Sequence, residues 1–307
     1  ELAFQLTAAD HSPPAKLFPL QVLDQSYEIL ILEETWRWEY KFLARLVEDD
    51  PSYRFTALLA RGGGAFAQFA SPDRRVNLIG FPENPADLQA FDLFILGDVQ
   101  PQRWPAGLAA KVAHLVANEG RSLVILGSPG LKALSESAEL YPLLPVDLGR
   151  ESGTPIEGKI NLLIPTEASR SPFAFQLPVG EANALPPLER IYPVLRKRPA
   201  ATVLLEAADQ RNSYGNLIVA AEHTVGRGRV LFFATDTLWK WHTLAPATNG
   251  PTPYATFWQQ ALRAMSPERF AADPVQLWLT PQRKEGEVGR QLSIAAEVNS
   301  QRAIKQL

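Results

Sequence analysis

Side chains that could take part in chemistry follow four apolar runs of the sequence, each at the point where the run ends. They are Glu33, Glu34, Trp36 and Arg37 after the first run, Asp98 after the second, Ser128 after the third, and Asp236, Trp239 and Trp241 after the last. Indole rings stack on sugar rings or peptide groups and carboxylates accept hydrogen bonds, so these residue types suit recognition of a glycan or a peptide. Carboxylates can also bind Ca²⁺ or Mg²⁺. Because the sequence has no Asp-x-Asp loop and no paired histidines, we predict neither a metal site nor a cofactor.

The same residues also have a structural interpretation. Asp98 and Asp236 can cap the helices or turns that follow them by accepting backbone N–H bonds. Arg37 can form an ion pair with one of the acids. Trp36 and Trp38 are two positions apart and face different ways on a helix, so we expect Trp38 to pack into the core and Trp36 to cover a loop. The sequence leaves both interpretations open.

Ser128 is the candidate nucleophile among these residues. It lies in the segment LGSPG, whose small residues permit a sharp strand-to-helix turn that would raise a side chain above the sheet. A serine needs a base within hydrogen-bond reach, usually a histidine that an acid orients. Only His242 follows the end of an apolar run, with Asp236 as its orienting acid; the other histidines are His11 in the N-terminal tail, His114 in a predicted helix and His223 beside a predicted hairpin turn. A serine hydrolase is therefore one alternative function.

A parallel sheet would bring these residues together. Periodicity predicts a buried strand over Tyr27–Leu32, an amphipathic helix that stops before Pro51, and a strand over Tyr53–Ala60. The apolar face of that helix holds Trp38, Phe42, Leu43, Leu46 and Val47. Elements of these lengths form a parallel βαβ unit. Since the carboxyl ends of parallel strands meet at one edge of a sheet, the residues named above should line a single opening, which we call the predicted crevice.

Further elements are predicted along the rest of the chain. The strands are Phe91–Leu96, Ser122–Leu126, Lys159–Pro165, Ala201–Glu206, Asn216–Glu222 and Arg229–Thr235, and the helices run from Leu108 to Gly120 and from Thr252 to Met265. Asn84 or Asp87 is expected to cap a short helix. The Gly-rich segment Arg61–Asn77 shows no periodicity and is predicted to be a surface loop. It is not a phosphate loop, because no Gly-Lys-Ser/Thr leads into a helix there.

Composition excludes several classes of protein. A formal charge of −3 and a pI near 5.9 argue against a nucleic-acid partner, and the short basic run Arg196–Arg198 is interpreted as a solvated loop. The absence of cysteine excludes disulfides and thiolate chemistry. No apolar stretch is long enough to cross a bilayer, so no membrane span is predicted. Three segments are expected: a linker or tail of a preceding β module over 1–25, an α/β domain over 26–269, and the start of an incomplete β-sandwich module over 270–307.

Five segments together resemble a known family. They are ILILEETWRWEYKFL, FDLFILGDV, the helix ending NEG before SLVILG, GRGRVLFFATDTLWKW and YATFWQQALRAM. Over about 26–266 the chain resembles the class I glutamine amidotransferase-like domain of large bacterial membrane-anchored proteins, which often carry a von Willebrand factor A domain. The resemblance implies a flavodoxin-like, mostly parallel α/β sheet with helices on both faces and partial β-sandwich segments at the termini. It also implies a membrane-anchored parent and favours an extracytoplasmic position.

The chain departs from the catalytic pattern of that family. True amidotransferases of this kind carry a cysteine in a Gly-x-Cys-x-Gly elbow and a later His-x-Glu pair. Here Ser128 stands where the cysteine would, Leu126 replaces the first glycine, and no His-x-Glu occurs. We therefore predict a non-catalytic interaction or scaffold domain whose partners are other protein domains of the same parent or complex. The alternatives are a serine hydrolase and a glycan or peptide receptor that uses the predicted crevice.

Overall fold

The computed structural model describes residues 26–62, 65–72, 78, 82, 84–171, 173, 185–243, 251–266, 275–281 and 294–300. The chain divides after Ser266 into two compact units. The predicted N-terminal module over 1–25 lies outside the described residues. No helix in the described ranges is long and apolar enough to cross a membrane.

The larger unit contains strands β1 to β13 and helices α1 to α4. The strands are β1 Tyr27–Glu33, β2 Tyr53–Gly62, β3 Ala65–Ala70, β4 Leu93–Leu96, β5 Ser122–Leu126, β6 Val146–Asp147, β7 Ile156–Ile160, β8 Leu162–Leu163, β9 Leu188–Ile191, β10 Arg196–Lys197, β11 Thr202–Asn212, β12 Gly215–Val225 and β13 Gly228–Phe233. The helices are α1 Trp38–Glu48, α2 Leu108–Glu119, α3 Leu131–Ser135 and α4 Pro253–Met265. Short 3-10 helices are Pro85–Ala90, Pro101–Arg103, Tyr141–Leu143, Thr166–Arg170 and Leu238–His242.

One mixed sheet of nine strands organises this unit, in the order β3-β2-β1-β4-β5-β13-β12-β11-β8. The five strands from β2 to β13 in that order run parallel to one another. The strand β3 at one edge and β12, β11 and β8 at the other pair antiparallel with their neighbours. The predicted flavodoxin-like, mostly parallel sheet is therefore wrong: four of the eight ladders of this sheet are antiparallel.

Short turns explain the antiparallel half. Two residues, Ser213 and Tyr214, join β11 to β12, and Gly226 and Arg227 join β12 to β13. A connection of this length cannot carry a chain back across the sheet, so the next strand must reverse direction. Gly226 has a φ of +58°, a left-handed conformation that glycine adopts at little cost.

Alternate residues of β1 enter two separate cores. Ile29 and Ile31 face the core that also contains buried residues of α1 and α4. Leu30 and Leu32 face the core that contains buried residues of α2 and α3. This follows from the two-residue period of a strand that is covered on both sides.

The Gly-rich segment after β2 differs from its prediction. Instead of a loop over Arg61–Asn77, residues Ala65–Ala70 form β3, which pairs antiparallel with β2. Residues 63–64 and 73–77 lie outside the described part. The predicted strand Lys159–Pro165 is also different, because the chain forms two short strands there, β7 in a small sheet with β9 and β8 at the edge of the large sheet.

Two predicted helix ends are confirmed. Asn84 caps the 3-10 helix Pro85–Ala90 by accepting a hydrogen bond from the Ala86 N–H at 3.0 Å. Gly120 ends α2 with a φ of +77°.

The smaller unit contains two antiparallel strands among its described residues. They are β14, Val275–Pro281, and β15, Ile294–Ser300, paired from Val275 opposite Ser300 to Pro281 opposite Ile294. The predicted β-sandwich module over 270–307 stays a prediction.

Candidate functional site

An open cleft of about 300 Å³ lies beside the ends of β1 and β13. Its lining consists of Trp36, Arg37, Trp38, Glu157, Glu189, Arg190, Asp236, Thr237, Trp239 and Lys240, and we call it the aromatic cleft. The strands β1, β4, β5 and β13 are neighbours and parallel, so their carboxyl ends lie at one edge. The small sheet of β7 and β9 supplies Glu157, Glu189 and Arg190 from outside that edge.

The chain between β1 and α1 places two tryptophans at the cleft. Strand β1 ends at Glu33, Arg37 has an extended backbone with φ −124° and ψ 152°, and α1 begins at Trp38. The side chains of Trp36 and Trp38 are each 55% exposed. Trp36 packs edge-on against Tyr40 and against Phe69 of β3. The expectation that Trp38 enters the core is wrong.

Trp239 belongs to an aromatic cluster that joins α1 to the 3-10 helix Leu238–His242. Its ring stacks on Phe42 with centroids 5.7 Å apart and planes 5° apart, and its centroid lies 5.7 Å from that of Trp38. Trp38 and Phe42 are four positions apart and therefore lie on the same face of α1. Trp241 is different, because it is fully buried against Phe257 and does not line the cleft.

Glu33 and Arg37 form a buried pair beneath the cleft. The guanidinium Nε and Nη2 donate to the two carboxylate oxygens at 3.1 and 2.7 Å, and the Asp98 backbone N–H donates to Glu33 Oε2 at 2.9 Å. Burial raises the pKa of Glu33, while Arg37 and the Asp98 N–H act in the opposite direction. A Cβ on Gly97 would overlap this carboxylate, so the close packing of Glu33 requires glycine there.

Arg37 links the ends of three strands. Besides Glu33 of β1, its Nη1 donates to the Gly127 carbonyl after β5 at 2.7 Å and lies 3.8 Å from Asp236 Oδ2 after β13. The guanidinium is therefore already surrounded by oxygen atoms of the protein. The structural interpretation of Arg37 as an ion-pair partner is confirmed.

Two other predicted crevice residues bind backbone outside the cleft lining. Asp98 accepts from the Gly130 N–H at the start of α3 at 2.8 Å and from Thr35 Oγ1 at 2.6 Å. Glu34 accepts from the Gln100 N–H at 2.7 Å. Both carboxylates therefore bind the backbone of neighbouring loops. The N–H bound by Asp98 belongs to Gly130 and not, as the capping interpretation predicts, to the turn that follows Asp98.

Ser128 is fully buried in the turn between β5 and α3. Its hydroxyl donates to the Gly97 carbonyl at 3.2 Å. Within the described ranges no histidine hydrogen-bonds to it: His223 Nε2 lies 2.6 Å from the Leu143 carbonyl, and the ring of His242 packs on Phe42 and Tyr254. His114 lies on α2, 3.6 Å from Glu119, and His11 is outside the described residues. The structure does not bring Ser128, His242 and Asp236 together as a hydrogen-bonded triad.

Asp236 is the predicted carboxylate that lines the cleft. It is 8% exposed, and its Oδ2 accepts from Arg190 Nη1 and from the Tyr192 hydroxyl, both at 3.3 Å. Its Oδ1 has no hydrogen-bond partner among the described residues. Burial raises the pKa of Tyr192 to about 12, and the Asp236 charge acts in the same direction. Tyr192 is therefore a hydrogen-bond donor at neutral pH.

Acidic and basic side chains both line the cleft. Arg190 Nε donates to Glu157 Oε1 at 2.7 Å, and Lys240 forms an ion pair with Glu189. The lining thus has three acids and three bases, each base paired with a carboxylate. Glu157, Glu189 and Arg190 are not predicted from the sequence, because strand pairing between β7 and β9 brings them to the cleft across about thirty residues. Two further lining residues lie next to predicted positions, Thr237 beside Asp236 and Lys240 beside Trp239.

A metal site finds no support in the described ranges, where no group of three or more His, Cys, Asp or Glu residues is arranged to hold an ion. The basic run Arg196–Arg198 is not a free patch. Arg196 and Arg198 both donate to Asp147, and Lys197 donates to Glu167.

No family model matches the chain, and no curated protein matches it. Solved structures do match. Cytoplasmic protein STM3548 from Salmonella typhimurium has a TM-score of 0.54 at 14% identity, covering 78% of this chain and 99% of that one. Cytoplasmic protein STM1381 from Salmonella typhimurium LT2 has a TM-score of 0.54 at 17% identity, with the same coverage. At such low identity the similarity concerns the fold alone.

The predicted localisation is not supported by these neighbours. The sequence resemblance favoured the extracytoplasmic side of a membrane-anchored parent. Both of the solved structures just described are cytoplasmic proteins by name, which contradicts that expectation.

Proposed function

We propose that this chain is a non-catalytic binding domain whose aromatic cleft binds a neutral carbohydrate. The observation that carries the proposal is the composition of the lining, in which exposed indole rings stand beside paired acids and bases. Flat indole faces stack on the apolar faces of sugar rings, and charged side chains hydrogen-bond to hydroxyl groups. The predicted scaffold role and the predicted resemblance to glutamine amidotransferase-like domains stay predictions.

The charge balance favours a neutral ligand over an anion. The three bases Arg37, Arg190 and Lys240 are each held by carboxylates of the protein. A phosphate or sulfate would have to displace these carboxylates and would then lie near them, which is electrostatically unfavourable. A sugar hydroxyl can donate to an acid and accept from a base without breaking either pair.

Asp236 supports the same class of ligand. A buried oxygen without a hydrogen-bond donor is rare in proteins, because it has lost its water without gaining a partner. Oδ1 of Asp236 is such an atom among the described residues, in a side chain that lines the cleft. A donor hydroxyl of a bound sugar, or a water that it fixes, would satisfy this oxygen.

The geometry favours binding over hydrolysis. A serine becomes nucleophilic when a base removes its proton, and Ser128 instead donates its proton to the Gly97 carbonyl. The hydroxyl is fully buried and does not line the cleft. The serine-hydrolase alternative would therefore require a rearrangement of both the turn after β5 and the nearest histidine.

Calorimetric titration with maltohexaose, cellohexaose, chitohexaose and mannohexaose tests the proposal. We expect at least one of them to bind, and we expect Trp36→Ala to weaken binding by at least about tenfold, roughly 1.4 kcal/mol, because it removes a stacking surface. Tyr214→Ala is the matched control, since Tyr214 is 57% exposed but lies outside the cleft lining. Equal loss in both variants, or no heat with any of the four sugars, would overturn the proposal.

A further inference from the structure

A fully buried carboxylate lies behind the aromatic wall of the cleft. Glu39, in the first turn of α1, is 0% exposed. Its Oε2 accepts from the Trp239 backbone N–H at 2.9 Å, and its Oε1 accepts from the Tyr254 hydroxyl at 3.0 Å. The side chain thus connects α1 with the 3-10 helix Leu238–His242 and with α4.

The Trp239 N–H is the important partner. Trp239 lines the cleft, and its ring is clamped on the α1 side by Phe42 and Trp38. A stack fixes the distance between rings but allows them to slide, whereas a backbone hydrogen bond also fixes the peptide that carries the indole. Glu39 and the two rings on the same helix therefore hold Trp239 at two different points.

Stability alone is a poor explanation of this residue. Burial of a carboxylate is costly, and its hydrogen bonds to Trp239 and Tyr254 offset part of that cost. Burial raises the pKa of Glu39 to about 7, which reflects that cost. An acceptor in this position is instead suited to orienting the donor that faces it.

We propose that Glu39 is a positioning residue, which sets the orientation of Trp239 in the aromatic cleft through the Trp239 backbone N–H. The effect of Glu39 on ligand affinity rests on the proposed carbohydrate function, whereas its effect on the orientation of Trp239 does not. Glutamine at this position would keep the arrangement, because its carbonyl accepts from the Trp239 N–H and its amide donates to the Tyr254 oxygen. Methionine has a similar shape but is a poor acceptor, so it would release the Trp239 peptide.

The experiment uses 5-fluorotryptophan labelling of the full chain and ¹⁹F NMR. The seven tryptophans give one signal each, and Trp239→Phe identifies the signal of Trp239. We expect Glu39→Gln to leave this signal in place and Glu39→Met to shift or broaden it, while the signal of Trp104, on the opposite face of the sheet, stays unchanged in both. An unmoved Trp239 signal in Glu39→Met would overturn the proposal.

Tyr254→Phe separates positioning from general structural support. It removes the second hydrogen bond of Glu39 but keeps the one from Trp239. We expect its Trp239 signal to match that of the wild type, and displacement of that signal would contradict the proposal even if Glu39→Met did not fold.

Titration with the same four hexasaccharides completes the test. Glu39→Gln should bind within about twofold of the wild type, and Glu39→Met should bind about tenfold more weakly. If none of the sugars binds to the wild type, the proposed function fails while the NMR signals still decide the role of Glu39. Wild-type affinity in Glu39→Met together with a displaced Trp239 signal would overturn the link to binding.

Discussion

The carboxylates at this sheet edge differ in what they bind, although all of them follow apolar runs. Glu33, Glu34 and Asp98 accept hydrogen bonds from backbone N–H groups of neighbouring loops, and only Asp236 of the predicted acids lines the cleft. The sequence predicts that they gather at the ends of strands, because parallel strands end together. It does not show which N–H each will meet, since that depends on loop conformation.

Burial of Glu39 makes the stability of the folded protein depend on pH in a predictable direction. Its pKa is raised by burial from 4.5 to about 7, so the folded protein holds the proton more tightly than the unfolded chain. The contribution of the Glu39 proton to the free energy of unfolding is fully present below about pH 4.5 and is lost as the pH rises through about 7. Glu39→Gln cannot ionise, so at pH 8 we expect it to be more stable than the wild type by about 3 kcal/mol and at pH 4 to be nearly equal.

Urea denaturation at pH 4, 6 and 8 measures this difference. Glu48→Gln, an exposed position on the same helix, serves as the control and should follow the wild type at every pH. A constant difference between Glu39→Gln and the wild type from pH 4 to pH 8 would contradict the assignment.

The sequence predicts elements whose apolar residues recur with a clear period. It does not predict strands that are identified only by their pairing with another strand. The apolar residues of α2 recur at Leu108, Val112, Leu115 and Val116, and all four are buried. In contrast, β3 follows three glycines and its pattern AFAQFA gives no clear alternation, so only its pairing with β2 identifies it. The same reason hides β7 and β9, whose pairing places Glu157 and Arg190 at the cleft.

The contact between β1 and the end of β4 gives a prediction about packing. Gly97 lies against the Glu33 carboxylate, which a Cβ would overlap. Because Glu33 is held by Arg37 and the Asp98 N–H, it cannot move aside without breaking them. We expect Gly97→Ala to lower the free energy of unfolding by about 2–4 kcal/mol.

Gly149→Ala is the matched control in the same denaturation experiment. The nearest atom to an added Cβ there is Leu195 Cβ at 3.8 Å, an ordinary contact. It should change stability by less than about 1 kcal/mol. Similar stability of the two variants would show that the Glu33 carboxylate is not confined by Gly97.

The whole sheet combines a parallel centre with antiparallel edges. The sequence predicts the centre because helices separate β1, β2, β4 and β5. It underestimates the antiparallel part, because the ladders of β3, β8, β11 and β12 depend on strand pairing that periodicity does not show. The cleft forms where the two parts meet: β1 and β13 contribute their parallel ends, and the segment between β8 and β11 contributes β9. Neither part alone would enclose it.

The most direct measurement follows the indole N–H signals of a ¹⁵N-labelled chain while the four neutral hexasaccharides are added. The account predicts that the signals of Trp36, Trp38 and Trp239 shift with one saturating sugar, while those of buried Trp241 and Trp258 do not, and that the sugar is recovered intact. Shifts that change little between 50 and about 500 mM salt would agree with a neutral ligand. Cleavage of the sugar, or shifts confined to residues outside the aromatic cleft, would contradict the account.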